Sequence, residues 1–255
     1  MATTLTFDEH LAGFQRAMLE LARAAGRSGL DVPVPSCPAW TVRRLVGHQG
    51  AVHRWAAGSF RGEDLDWPPI EKAGRSSSDP VDWLRDGAIA LVRTLVGAAD
   101  DAEAAVFLHD APPPRQFWAR RQCHETTIHA VDVLSAALGR LPRTEETWLT
   151  DDRGRALALD GIDELLLGFV PRSRSRLRSA TPVTIAVVPT DADHSFTVRV
   201  TDEPPVSTRV EGHVETAEGD LRIEGTAAQL YLALWHRTDE LTSDIWPLWH
   251  DSAVL

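Results

Sequence analysis

Lysine, cysteine and tyrosine are scarce in this sequence of 255 residues, and it contains no long apolar run. Lys72 is the only lysine, and arginine supplies nearly all the remaining positive charge, a bias typical of GC-rich coding. The formal net charge of -11 argues against nucleic-acid binding, because phosphates require a basic surface. We therefore expect no nucleic acid among the partners of this protein.

The two cysteines, Cys37 and Cys123, are isolated residues without CxxC spacing. This excludes a CxxC redox pair and a cysteine zinc site, and two buried thiols are the simplest expectation. No stretch approaches the roughly 20 apolar residues that a membrane span needs. The N-terminal sequence MATTLTFDEHLAGF also lacks the basic and apolar regions of a secretory signal. We expect a cytoplasmic protein without membrane association.

The pattern of apolar residues changes once along the chain. Before Pro171, apolar residues recur mostly at three- and four-residue steps, which predicts helices, with a loop at residues 61–78. After Pro171, four short segments are typical of strands and a helix follows them. This order predicts an α+β protein with two domains, a helical bundle over residues 1–172 and a smaller α/β domain with antiparallel strands and a helix over residues 173–255.

One predicted helix, from about Gln116 to Leu138, contains the strongest candidate for chemistry. Glu125 and His129 lie four residues apart in it, so both side chains lie on one helix face, one turn apart. A carboxylate and an imidazole in this arrangement can bind a common metal ion. Two ligands make an incomplete site, and a third ligand must come from elsewhere in the chain.

His48 is the candidate for the third ligand. It lies on the core-facing stripe of an earlier predicted helix, which begins after Thr41. Two imidazoles and one carboxylate form the ligand set of an open catalytic zinc site, with a fourth position for water or a substrate atom. The same set also suits iron, nickel or manganese. Asp132, almost one turn beyond His129, is placed to orient that imidazole.

These residues also have a simpler interpretation. A Glu and a His at this spacing often lie on a solvated helix face, and a single histidine such as His48 is often a hydrogen-bonded core residue. His53 and His124 point away from the predicted ligand stripe, and we leave both out of the site. The residues alone therefore leave metal binding and a purely structural role open.

Four motifs resemble the mycothiol-dependent maleylpyruvate isomerase-like family, and together they span almost the whole chain. Cys37–Val42 and Leu45–His48 resemble its CPxWTVxxLVxH opening, and Arg120–Asp132 resembles its segment with HExxxHRxD. Asp160–Leu166 matches its DGIDELL helix, and Arg222–Arg237 is similar to its C-terminal helix ending in LWGR. The first two motifs together are the specific part of the resemblance.

The resemblance implies a DinB-like four-helix bundle with a divalent metal, usually zinc, followed by a small domain resembling sterol carrier protein 2. The metal ligands of the family fall on His48, Glu125 and His129. A functional arginine of the C-terminal domain falls on Arg237, which we expect to be catalytic and to anchor a substrate carboxylate through a bidentate contact.

The activity implied by the resemblance depends on a low-molecular-weight thiol. The family's isomerase uses mycothiol to convert maleylpyruvate to fumarylpyruvate, and relatives with the same bundle are thiol-S-transferases. We therefore expect a metal- and mycothiol-dependent isomerase or S-transferase. Its partners would be the thiol and a small electrophilic substrate that carries a carboxylate, and the protein would act as a monomer or homodimer.

Two positions depart from the family's motifs. Ala130 stands where the family usually has arginine, and His236 stands where it usually has glycine. Both adjoin expected functional positions, so two other functions stay open. One is a non-catalytic member that binds metal or small ligands or has a regulatory role. The other is a metal-dependent hydrolase, which would be active without any thiol.

Overall fold

The computed structural model describes residues 5–108, 111–211 and 219–250. These residues form two compact units. One unit, made of Thr6–Val106 and Pro112–Pro142, is built from helices, and the other, formed mainly by the described residues from Arg143 onward, contains a four-stranded sheet. The predicted α+β class is therefore confirmed.

The helical unit consists of long helices that begin at well-defined caps. Thr6 and Glu9 form a reciprocal capping box at the start of the first helix, and Asp79 accepts hydrogen bonds from the amides of Val81 and Asp82. A short antiparallel ribbon lies between the first two helices. The elements are α1 (Phe7–Ser28), β1 (Pro33–Val34), β2 (Cys37–Thr41), α2 (Val42–Phe60), α3 (Trp67–Arg75), α4 (Pro80–Val96) and α5 (Pro114–Leu138).

Four of these helices form the predicted bundle. α1 packs along α5, α2 packs along α4, and α2 also contacts α5. The interface is apolar, and Leu21, Leu45 and Leu91 are almost completely buried in it. Cys123 is buried as expected, whereas Cys37 in β2 is partly exposed, and neither forms a disulfide.

Helix α3 corrects the prediction of a loop over residues 61–78. Pro68 and Pro69 lie in its first turn, where proline is tolerated because no helical amide partner is required there. The helix packs very closely on α2. A Cβ added to Gly47 would lie 2.8 Å from the carbonyl carbon of Gly74, so only glycine fits at this crossing.

The second unit combines short helices with the sheet. Two 3-10 turns, Thr144–Glu146 and Trp148–Thr150, precede α6, and the end of α6 continues as a π-helical segment. The elements are α6 (Asp152–Asp163), the π-helical segment Glu164–Phe169, β3 (Val183–Pro189), β4 (His194–Val200), β5 (Val206–Glu211), β6 (Leu221–Gly225), α7 (Ala227–Leu234) and α8 (Trp246–His250).

The sheet has the order β5-β4-β3-β6. β3, β4 and β5 are antiparallel as predicted, whereas β6 pairs parallel with β3. The alternation of apolar residues along a strand specifies which face is buried but not the strand's direction, so the sequence pattern could not predict this parallel pair.

The unit that contains the sheet begins earlier than the domain boundary predicted after residue 172. α6 packs against α7, and a Cβ added to Gly161 would lie 2.3 Å from the ring of Tyr231. By their contacts, residues 143–172 are therefore part of the unit that contains the sheet and not part of the helical unit.

Among the residues that the structure describes, no helix is both long enough and apolar enough to span a membrane.

Candidate metal centre

The three predicted ligands lie together in the helical unit. Glu125 and His129 project from α5, and the Nε2 atom of His129 lies 3.3 Å from Oε1 of Glu125. His48 reaches the same point from α2, with its ring centroid 5.8 Å from that of His129 and the two rings nearly perpendicular. One ligand atom from each residue lies within 4.8 Å of the others.

His129 is held by a buried carboxylate on its far side. Its Nδ1 lies 2.9 Å from Oδ2 of Asp132, as the sequence predicts, and Asp132 is fully buried. The hydroxyl of Ser36 donates a hydrogen bond of 2.6 Å to the other carboxylate oxygen of Asp132. Burial opposes the charged imidazole, but the hydrogen bonds to Asp132 and Glu125 outweigh it and raise the pKa of His129 to about 9.

Glu125 is fixed by a buried arginine one turn earlier on α5. The guanidinium of Arg121 donates to Oε2 of Glu125 at 3.0 Å, so Oε1 remains directed towards His129. Burial favours the protonated acid, but the hydrogen bond from His129 and the charge of Arg121 together hold the pKa of Glu125 well below its usual range. Glu125 is therefore a carboxylate at neutral pH.

His48 is positioned by aromatic rings and by α3. The rings of Trp40 and Trp67 lie edge-on to it at centroid distances of 4.8 and 5.4 Å. Oε1 of Glu71 lies 3.4 Å from Nδ1 of His48, so this contact does not involve Nε2, the other ring nitrogen. Burial, followed by repulsion from His129, lowers the pKa of His48, so its imidazole is neutral and has a lone pair available.

This arrangement fits a divalent metal ion. Ligands bound tetrahedrally at about 2.0–2.2 Å from one ion lie roughly 3.4 Å apart, and the 3.3 Å between His129 and Glu125 matches that separation. Each imidazole also has a carboxylate at its other nitrogen, the orientation that metal-binding histidines usually have. The side chains of His48, Glu125 and His129 are 19%, 30% and 14% exposed, so a fourth ligand can reach them from solvent.

The two histidines that the sequence analysis left out lie apart from this set. His53 is completely buried and its Nε2 lies 2.9 Å from both the amide nitrogen of Gln49 and the hydroxyl of Thr126. Burial lowers the pKa of His53 to about 3. His124 is also fully buried, and its ring packs edge-on against that of His10.

Arg237 lies in the unit that contains the sheet, just after α7. It is 93% buried, and its guanidinium donates a hydrogen bond to the main-chain oxygen of Trp235. The preceding residue, His236, has a φ of +59°, in the left-handed region that favours glycine. This conformation accounts for the glycine that the family motif has at this position.

The other departure, Ala130, is completely buried in α5. A long charged side chain at this position would need a neighbouring cavity or partner, so the small residue suits the packing of this chain.

Three residues that orient the candidate ligands or Asp132 were not predicted from the sequence. Arg121 precedes Glu125 by four residues, and this spacing could have indicated the pair. Ser36 and Glu71 are different, because each meets its partner only through the packing of separate elements. No local pattern in the sequence links Ser36 to Asp132 or Glu71 to His48.

Two family models match most of this chain. A family model described as the mycothiol maleylpyruvate isomerase N-terminal domain matches residues 11–134, and the MDMPI C-terminal domain matches residues 156–245. This chain belongs to the mycothiol maleylpyruvate isomerase family.

Two solved structures have the same fold as this family member. The mycothiol-dependent maleylpyruvate isomerase matches it with a TM-score of 0.60 and 16% identity over 96% of each chain. A histidine-to-alanine mutant of the mycothiol-dependent maleylpyruvate isomerase matches with a TM-score of 0.62 and 14% identity, again over 96% of each chain. No curated protein matches the chain significantly.

Proposed function

We propose that this protein is a metal- and mycothiol-dependent isomerase or S-transferase that acts on a small, electrophilic, carboxylate-bearing molecule. The observation that carries the proposal is the convergence of His48, Glu125 and His129 in a chain of this family. The two similar structures are those of a mycothiol-dependent maleylpyruvate isomerase and its mutant, and maleylpyruvate is accordingly the first substrate to test.

The ligand set supports a single divalent ion with an open coordination position. Such an ion favours the thiolate form of a thiol bound at that position. Zinc is the expected metal, although nitrogen and oxygen ligands of this kind also suit iron, nickel or manganese.

The residues around the ligands prepare them for this task. Nδ1 of His129 donates a hydrogen bond to Asp132, and its Nε2 is thereby directed towards Glu125. Arg121 keeps Glu125 ionised, and Glu71 orients His48. Once His129 loses its Nε2 proton to an incoming ion, the site would present two imidazole lone pairs and one carboxylate oxygen, each already oriented by its neighbours.

Arg237 is proposed to bind the substrate carboxylate. A guanidinium offers two parallel N–H groups to a carboxylate, which gives both charge neutralisation and a fixed orientation. Replacement of Arg237 by Lys would keep the charge but lose this geometry, and we expect it to raise KM. We expect the metal content of Arg237→Lys and Arg237→Met to stay unchanged, because neither substitution alters a candidate metal ligand.

The test combines metal content with turnover. The full-length protein, purified without chelator, is assayed for bound metal and for mycothiol-dependent isomerisation of maleylpyruvate, beside a His48→Ala variant. We expect about one ion per chain and loss of both metal and activity in the variant. Full metal occupancy in His48→Ala would show that His48 is not a metal ligand.

Ala130 and His236 favour a second candidate, a family member that binds metal but has lost turnover. Such a protein would bind one ion through the same residues and consume no thiol with any electrophile. Activity that persists in the absence of thiol would instead select a metal-dependent hydrolase.

A further inference from the structure

A groove of about 580 Å³ in the helical unit lies between the start of α2 and α3. Four cationic side chains line it, and the only carboxylate among its lining residues is Glu71. The cationic residues are Arg43, Arg44, Lys72 and Arg75. We call this surface the basic groove. The candidate metal ligands do not line it, although Glu71 also contacts His48.

The positive charge of the basic groove is poorly neutralised by the protein. Lys72 and Arg75 are exposed and make no ion pair in the part of the chain that the structure describes. Arg43 lies 3.5 Å from Asp31, whose side chain is 90% exposed, so this pair is weak. Such a concentration of cations is unusual in a chain with a net charge of -11, and it includes the only lysine.

Two of the arginines occupy an electrostatically unfavourable place. Arg43 and Arg44 lie in the first turn of α2, which has no acidic residue, and the positive end of the helix dipole repels them. The amides of Val42, Arg43 and Arg44 already donate to the main-chain oxygens of Val32 and Leu30 and to the hydroxyl of Thr41. An anion at this point would therefore be held by side chains and not by helix amides.

Arg44 is also incompletely satisfied. Its guanidinium lies over the ring of Trp40, 4.5 Å from the centroid, and donates to the main-chain oxygen of Ala39. Its Nε is buried and has no hydrogen-bond partner among the described residues. A buried donor without an acceptor is costly, so the protein itself satisfies the Arg44 guanidinium only in part.

We propose that the basic groove binds a small organic molecule with two or more negative charges, a dicarboxylate or a phosphate ester. The volume lies in the range of small-molecule pockets, and separated cations on α2 and α3 match separated anionic groups better than a single charge. Arg43 and Arg44 hold one end, and Lys72 and Arg75 hold the other. The site requires no metal and stands independently of the proposed function.

Titration calorimetry on the full-length protein at low ionic strength tests the proposal, with succinate and inorganic phosphate as separate probes. The test variant is Lys72→Gln combined with Arg75→Gln. The control, Arg85→Gln combined with Arg93→Gln, removes two positive charges from exposed positions of α4 outside the groove. We expect the dissociation constant of the probe to rise by roughly tenfold or more in the test variant and to stay unchanged in the control.

The preferred probe identifies the chemical class of the ligand. The absence of binding of both probes would overturn the proposal. An equal loss of affinity in the test and control variants would also overturn it, because that result indicates general attraction between charges and not a site.

A second measurement uses the unaltered protein. Because Lys72 is the only lysine, an amine-reactive reagent can modify only this side chain and the N-terminus. Mass spectrometry of peptides then reports the modification of Lys72 with and without the probe that binds. We expect the probe to protect Lys72 and not the N-terminus. Equal modification of Lys72 with and without bound probe would contradict the assignment.

Discussion

At the scale of single residues, the proton of His129 links the candidate metal centre to pH. Without metal, the carboxylates of Asp132 and Glu125 stabilise the imidazolium and raise its pKa from 6.5 to about 9. The folded protein therefore binds this proton more tightly than the unfolded chain. Its stabilising effect is complete below pH 6.5 and is lost as the pH rises to about 9.

The metal-free protein should therefore lose stability across that pH interval. The free energy of unfolding should fall with a slope of up to about 1.4 kcal/mol per pH unit from this group. Denaturant unfolding at several pH values, with His129→Gln as the control, measures the slope. A slope that is identical in the variant would show that His129 is not the group responsible.

Asp132 should control metal affinity without being a ligand. In Asp132→Asn, Nδ1 of His129 loses its carboxylate acceptor, and we expect metal affinity to fall by about 10- to 100-fold. Competition with a chelator measures the affinity. Ser36→Ala is the matched variant, because it removes the hydrogen bonds of Ser36 to Asp132 and Ser135 but keeps the carboxylate at His129, and it should give a smaller loss. Unchanged affinity in Asp132→Asn would contradict the role of Asp132.

The site residues differ in how far the sequence could predict them. Glu125, His129 and Asp132 lie on one helix, where spacing alone specifies their relative positions. His48 could be named as a candidate from its place on the core-facing stripe of α2, but its position beside α5 could not be predicted, because no local pattern links the two helices. The role of Glu71 could not be predicted, because Pro68 and Pro69 favour a loop over the segment that forms α3.

At the scale of secondary-structure elements, the contact of α2 with α3 positions Glu71 beside His48. Gly47 and Gly74 permit this contact, because a side chain on either would collide with the other helix. Apolar periodicity predicts which face of a helix is buried, but it does not report how closely two helices approach. The short distance at this crossing could therefore not be predicted from the pattern.

Gly47→Ala should separate the two helices. The added methyl would lie 2.8 Å from the main chain of Gly74, and we expect destabilisation of roughly 1–3 kcal/mol together with weaker metal binding. Urea unfolding and metal titration measure both effects. Gly26→Ala in α1 is the control, because its Cβ would meet no atom within 4 Å and should be neutral or slightly stabilising. Equal effects of the two substitutions would contradict the close-packing argument.

At the scale of the whole molecule, the three candidate ligands all belong to the helical unit. The change from helical to strand patterns predicted the existence of two units, but not that α6 belongs with the sheet. That assignment depends on the contact of Gly161 with Tyr231, which are distant in sequence. The pattern of α6 is that of any amphipathic helix, so it does not identify the neighbour.

Metal should stabilise the two units unequally. We predict that they unfold in separate transitions and that zinc shifts only the transition of the helical unit, by about 2.7 kcal/mol at 100 times the dissociation constant. Hydrogen exchange followed by mass spectrometry, with and without zinc, assigns protection to α2 and α5 or to the sheet. Uniform protection of both units would show that they unfold as one.

The central claim is that His48, Glu125 and His129 bind one divalent ion. Anomalous scattering from a crystal of the protein, purified without chelator and recorded at a metal absorption edge, tests it most directly. We predict a single peak with one atom from each residue at about 2.0–2.2 Å. A peak at another position would contradict it. Ordered side chains of His48 and His129 that point apart, with no ion between them after soaking with zinc, would also contradict it.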